Sequence, residues 1–202
     1  MRILCYGDSN TWGCVPNVAG YDKNCVAKQY KMTDCWWCAL KSRNEVFVDG
    51  VCGRCIAHEN KWLENRNASV TICEDLKAFG DLDVVIVWLG TNDCKSMYGD
   101  TAKVIAGNLE NLVKTIENIT KAKMVLVSPV CINENTPITK KYYLGACEKS
   151  KALDTLYREL AERKGYAFVS GVDLEVGEDG EHLTLSGHKE LSMRIQKIIN
   201  EC

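Results

Sequence analysis

Short apolar runs alternate with amphipathic stretches from one end of the chain to the other. Residues 2–6 (Arg-Ile-Leu-Cys-Tyr) form an apolar run that predicts a first strand. A polar turn follows. An amphipathic helix is then expected over 29–41, with Trp36, Trp37 and Leu40 on its apolar side. Residues 45–48 predict a second strand that ends at Asp49-Gly50. The segment 56–77 has no clean period and fits one or two helical pieces. Residues 83–89 (Asp-Val-Val-Ile-Val-Trp-Leu) are continuously apolar and β-branched, as in a parallel strand covered on both faces. Helix is predicted over 101–120, where Val104, Ile105, Leu109, Leu112, Val113 and Ile116 share a stripe. Residues 123–128 give a fourth strand, closed by Pro129. A long helix is expected over 142–164 with Gly165 as its cap. A short fifth strand follows at 167–169, and 191–199 lies in a C-terminal helix.

Strands alternating with helices imply βαβ units: an α/β fold with a mostly parallel sheet and helices on both faces. No internal repeat, low-complexity linker or composition break interrupts the pattern, so the expectation is one domain spanning 1–202. In such sheets, functional residues gather at the carboxyl ends of the strands.

Composition narrows the function classes. Of 202 residues, 46% are hydrophobic and 26% charged, with a formal net charge of −2. No Lys/Arg block forms the footprint that nucleic acid or an anionic membrane demands. The apolar run at the N-terminus is too short for a signal segment, and no stretch approaches the roughly 18 apolar residues of a membrane span. The expectation is a cytoplasmic protein, in which the sequons at Asn67 and Asn118 are chance matches. Twelve cysteines are many. Scattered over strands, helices and loops, they read as small buried hydrophobes in a reducing compartment.

Four polar motifs fall at predicted strand ends. Gly7-Asp8-Ser9-Asn10 follows the first strand and Gly50-Val51-Cys52-Gly53-Arg54 the second. Gly90-Thr91-Asn92-Asp93 follows the third, and Asp179-Gly180-Glu181-His182-Leu183-Thr184 lies between the fifth strand and the last helix. In a parallel sheet all four face one rim. Acyl transfer needs these residue types. A serine hydroxyl is a poor nucleophile until a base takes its proton, and a neutral imidazole suits that task. A carboxylate must orient the imidazole. Asp179 and His182 are three residues apart, so a helical turn projects both to one side. The oxyanion needs donors: Asn92 can offer a side-chain N–H, and Gly53 and Ser9 backbone N–H groups.

These blocks resemble those of the SGNH/GDSL hydrolase family. The opening Ile3-Leu4-Cys5-Tyr6-Gly7-Asp8-Ser9-Asn10-Thr11-Trp12-Gly13 is similar to its arylesterase-like branch in particular. The resemblance covers the order and spacing of motifs over nearly the whole chain. It implies a flavodoxin-like α/β/α sandwich with about five parallel strands in the order 2-1-3-4-5. It implies Ser9 as nucleophile, His182 as base and Asp179 as the base's partner, with Ser9 N–H, Gly53 and Asn92 as the oxyanion hole. It implies no metal or organic cofactor. The chain departs from the branch at Cys52 and Cys55, where small hydroxyl residues usually flank the second-block glycine, and the stretch after Arg54 is shorter and differently composed. Asp8, Asn10, Trp12, Cys52, Arg54 and the 21–30 loop are candidates for the substrate pocket. Short-chain acyl esters, thioesters and O-acetylated sugars all fit. A small-molecule ester is the expected partner, with a homo-oligomer as an option.

Simpler readings compete at each position. Ser9 could be only a helix N-cap, and Asn92 and Gly53 only turn residues. The cap reading of Ser9 loses because the three other blocks would need separate explanations, while the turn readings of Asn92 and Gly53 stay open. His58 has only Glu59 as a neighbouring carboxylate, and His188, after the expected cap Ser186, reads as structural. Near His182, Asp173, Glu175, Glu178 and Glu181 also compete as the triad acid; Asp179 is preferred on the family pattern. Cys35-Trp-Trp-Cys38 and Cys52-Gly-Arg-Cys55 have the spacing of a zinc site. A helix descending from the rim and the top of the next strand should hold them on the order of 10 Å apart or more, too far to share an ion with Zn–S bonds of about 2.3 Å. A flavin- or nucleotide-binding module shares the fold, but Asp8 would repel phosphate, and such a site has no use for Asp179 and His182. Gly-x-Ser-x-Gly, the mark of the α/β-hydrolases, is absent. Glu64, Glu74 and Asp75 read as solvated faces.

Overall fold

In the computed structural model, residues 1–17, 27–60 and 63–201 are described. Part of the 21–30 loop expected at the pocket therefore lies outside the described residues. Among the described residues, five strands form one parallel sheet. They are β1 (Arg2–Gly7), β2 (Glu45–Gly50), β3 (Val84–Trp88), β4 (Lys123–Val127) and β5 (Ala167–Val169), in the order β2-β1-β3-β4-β5. The register runs Gly7 beside both Gly50 and Trp88, and Trp88 beside Val127. The motif-bearing ends of β1, β2 and β3 therefore finish level.

The period-two alternation of each strand divides the core. Leu4, Tyr6, Val85, Val87 and Leu126 face one layer, made by α2 (Ala68–Phe79), α3 (Ala102–Ile119) and α5 (Ala146–Lys164). Ile3, Cys5, Val84, Ile86, Trp88, Val125 and Val127 face the other, where Trp36, Trp37, Leu40 and α6 (Leu185–Glu201) cover them. Both faces are sealed, which is why β1, β3 and β4 read as unbroken apolar runs.

Local chemistry sets the helix ends. Thr101 caps α3 and accepts from Val104 N–H at 3.3 Å. Asn67 caps α2, taking Ser69 N–H at 3.1 Å. Among the described residues of the ambiguous 56–77 segment, α2 is the one helix.

Three expected elements differ. The helix expected at 29–41 is two 3₁₀ turns, Met32–Asp34 and Cys38–Ser42, separated by extended Cys35. Tertiary anchors override the local period there: Trp37 Nε1 donates to Thr11 O at 2.8 Å, and Trp36 N–H to His188 Nδ1 at 3.4 Å. The helix expected at 142–164 is broken. α4 (Pro137–Tyr142) ends before Gly145, which takes a left-handed φ of 79°, and α5 starts afresh. Glu134 caps the new start, accepting from Gly145 and Cys147 N–H. The last helix begins at Leu185, so Ser186 lies inside it. Thr184 Oγ1 is the capping acceptor, taking Gly187 N–H at 3.1 Å.

Candidate active site

β1 ends in a turn rather than a long helix. Asp8 is its cap: its carboxylate accepts Asn10 N–H at 2.9 Å, and a one-turn helix α1 (Ser9–Trp12) follows. Ser9 is thus the first helical residue, and the capping role that competed for it belongs to Asp8. Ser9 keeps 7% of its surface exposed, while Asp8 and Asn10 on either side keep 1%.

The His182 loop reaches this turn from the far end of the sequence. His182 Nε2 lies 2.8 Å from Ser9 Oγ, and its Nδ1 2.8 Å from Asp179 Oδ2. The Asp179 carboxylate is fully engaged. Oδ1 accepts Glu181 and His182 N–H, each at 3.1 Å, and Oδ2 also accepts Asn17 N–H at 2.9 Å. Burial works against its charge, but the His182 contact and these backbone donors outweigh it and hold its pKa below the usual carboxylate value. Burial also disfavours the charged imidazole of His182. The charges of Glu181, Asp179 and Asp8 outweigh that too and raise its pKa to about 9. Asp8 moves the opposite way from Asp179: burial dominates, and its pKa rises to about 6.

The two loops proposed to carry oxyanion donors are joined directly. Gly53 holds φ at +81°, a conformation that exempts only glycine from strain, and an added Cβ would lie 2.8 Å from Asn60 Nδ2. Asn92 Nδ2 donates to Arg54 O at 3.2 Å, and its Oδ1 accepts from Lys95 Nζ at 2.7 Å. The buried Asp93 carboxylate takes Ile56 N–H at 2.9 Å, a second tie between the same loops.

The pocket candidates separate into two groups. Asp8, Asn10 and Arg54 are buried in polar networks. Arg54 donates to Gly7 O (3.1 Å), Asp49 O (2.7 Å) and Asp49 Oδ1 (2.8 Å), and lies over the Tyr6 ring, tying the ends of β1 and β2 together. Trp12 and Cys52 remain partly exposed beside the Ser9 turn. A hydrogen bond from Cys14 leads the causes that lower the Cys52 thiol pKa.

Some participants were not singled out from sequence. Lys95 holds the Asn92 amide, a tie that its i+3 spacing from Asn92 hints at. Thr136 Oγ1 supports Asp179 O at 2.9 Å, and Tyr143 donates to Glu181 at 2.5 Å; neither leaves a local trace. Asp75, read as a solvated face, instead accepts from Tyr6 OH at 3.0 Å and pairs with Arg54 at 3.6 Å. His58 pairs with Asp100 at 2.7 Å, and His188 is buried against Trp36, so neither reaches Ser9. Among the described residues no three His, Cys, Asp or Glu side chains converge as metal ligands. The Cys35 thiol is turned to Lys31 O, and the Cys55 thiol to Gly53 O and Tyr98 OH. Cys5, Cys35, Cys52, Cys55 and Cys94 are free thiols.

A sequence profile described as the GDSL-like Lipase/Acylhydrolase family matches residues 5–190. The chain belongs to this family. As a GDSL-like hydrolase it is an ester-hydrolysing enzyme, which removes the flavin-module reading. Comparison with curated protein sequences gave no match. Among solved structures, the hydrolase is similar to Est24, a carbohydrate acetylesterase from Sinorhizobium meliloti. The two share 26% identity and a TM-score of 0.89, over 99% of this chain and 98% of that one. The native aryl esterase of M. smegmatis matches at 25% identity and a TM-score of 0.89 over the same shares. An Agrobacterium tumefaciens str. C58 protein described as a putative arylesterase shares the fold at 22% identity, with a TM-score of 0.82 over 99% of this chain and 98% of that one. No helix among the described residues is long and apolar enough to cross a membrane.

Proposed function

We propose that this hydrolase cleaves short-chain acyl esters, acetyl esters above all, through an acyl-enzyme on Ser9. The observation that carries the reading is the unbroken chain Ser9 Oγ–His182 Nε2 and His182 Nδ1–Asp179 Oδ2, each link 2.8 Å. His182 takes the Ser9 proton as Oγ attacks the carbonyl carbon. Asp179 fixes the ring and stabilises the imidazolium. Ser9 N–H, Gly53 N–H and the Asn92 amide receive the charge that develops on the carbonyl oxygen. The tetrahedral intermediate collapses as His182 gives its proton to the leaving alcohol. Water, deprotonated by His182, then releases the acid and restores Ser9.

One of the similar structures is named for carbohydrate acetyl ester cleavage, and this supports the acetyl preference.

A fluorophosphonate probe tests the nucleophile. Wild type labels, Ser9→Ala does not, and kcat on p-nitrophenyl acetate falls on the order of 10⁴-fold or more in Ser9→Ala. Labelling of Ser9→Ala at the wild-type rate would overturn the assignment. A series of p-nitrophenyl acetate, butyrate and octanoate, run beside an acetylated sugar, tests the acyl preference. A kcat/KM that climbs toward octanoate would reject it.

A further inference from the structure

The residue after the nucleophile is bonded on both sides of the base. Asn10 Nδ2 donates to Glu181 O at 3.0 Å, and Asn10 Oδ1 accepts Leu183 N–H at 3.0 Å. The two partners are the residues immediately before and after His182. Asn10 itself is 1% exposed, and its own N–H is held by Asp8 Oδ1 at 2.9 Å. One planar amide, fixed one position from Ser9, therefore straddles the backbone that carries His182.

We propose that Asn10 is a positioning residue that sets the separation between Ser9 and His182. The proposal rests on the reading of these two residues as nucleophile and base. Its chemistry is specific. The clamp needs one donor and one acceptor on a single carbon of a short side chain, and a carboxamide supplies both. An aspartate would keep the acceptor for Leu183 N–H but set an oxygen against Glu181 O. An alanine would leave a buried carbonyl and a buried N–H without partners. Either change frees the His182 segment to shift relative to α1. A base displaced by about 1 Å loses about 100-fold in rate.

The decisive experiment is a double-mutant cycle read in kcat and KM on p-nitrophenyl acetate, with folding checked by thermal denaturation. Asn10→Ala should lower kcat about 10- to 100-fold and leave KM within about 2-fold. In a His182→Ala background the same substitution should change the residual rate by less than about 2-fold, because a residue acting through the base has nothing left to position. Asn10→Asp should follow the same pattern with a smaller loss, and it carries the test if the alanine variant does not fold. An equal factor in both backgrounds would overturn the proposal in favour of a purely structural role. So would a raised KM with kcat unchanged, which marks a substrate contact. If His182→Ala itself kept the wild-type kcat, the base assignment would fail instead, and the two failures are thereby told apart.

Discussion

In the proposed mechanism, opposing influences on His182 decide when the enzyme can work. Burial pushes its pKa down, while Glu181, Asp179 and Asp8 push it up more strongly, to about 9. Only the neutral imidazole can take the Ser9 proton, so kcat/KM should rise with pH until the imidazole is fully deprotonated, with its limb near that value. Glu181 is the first of the three raising charges and makes no contact with the reacting atoms. Its carboxylate instead accepts from the buried Tyr143 hydroxyl. Glu181→Gln keeps an acceptor for Tyr143 and removes the charge. The limb should move to lower pH, and the rate at pH 7 should rise roughly 3- to 10-fold. A pH–rate profile checks it, and a limb that stays in place would mean that the Glu181 charge does not set the base. At this scale the sequence was legible where the family pattern names the partners: the structure brings Ser9, His182 and Asp179 into one hydrogen-bonded chain. The charges and clamps around them join residues up to 173 positions apart, as Asn10 and Leu183 are, and no spacing rule reaches that far.

The element scale shows how closely the strand ends must approach the Ser9 turn. Gly50 closes β2 directly against α1. A Cβ there would lie 2.3 Å from Trp12 N and 2.7 Å from Thr11 C, both backbone atoms that cannot rotate away. Gly50→Ala should therefore destabilise the fold by about 1–3 kcal/mol and lower kcat as α1 shifts Ser9 from His182. Gly107 is the contrast. It sits on the exposed side of α3, with nothing within 4 Å of an added Cβ. Gly107→Ala should stabilise by about 0.5–1 kcal/mol and leave kcat unchanged. Denaturant midpoints and kcat for the pair separate local crowding from a general response to Cβ addition. The same scale shows where pattern reading works. All five strands and α3 follow from alternation and continuous apolar runs, because burial enforces the period there, whereas the sheet order was legible only through the family resemblance. The 29–41 segment has an equally good apolar stripe, yet Trp36 and Trp37 are held by His188 and Thr11, partners remote in sequence. The 142–164 stretch carries its break in one residue, Gly145, whose left-handed turn and Glu134 cap outweigh helical propensity on either side.

For the whole molecule, the charges around His182 also set its stability against pH, in the direction opposite to that expected of activity in the proposed mechanism. The His182 pKa is raised from 6.5 to about 9 on folding, so its contribution is fully present below about pH 6.5 and is lost as pH rises through about 9. Asp8 and Asp93, raised by burial to about 6 and about 7, add the same sign at lower pH, because ionising them inside the fold is unfavourable. His188 runs the other way. Burial lowers its pKa to about 4, and its penalty appears as pH falls from about 6.5 toward 4. The buried thiols of Cys5 and Cys94 are pushed up, so unfolded-state thiol ionisation adds a further loss above about pH 8. Between about pH 7 and 8 the dominant raised group is His182. One proton held by the folded state alone gives a slope of about 1.4 kcal/mol per pH unit. The native enzyme should therefore lose on the order of 1 kcal/mol of stability across that unit, while kcat/KM climbs. Denaturant unfolding at pH 7 and pH 8, at matched ionic strength, measures the loss. His182→Gln removes the titrating group and should flatten the difference between the two pH values. An undiminished slope in that variant would assign the pH dependence to other groups and detach stability from the catalytic base.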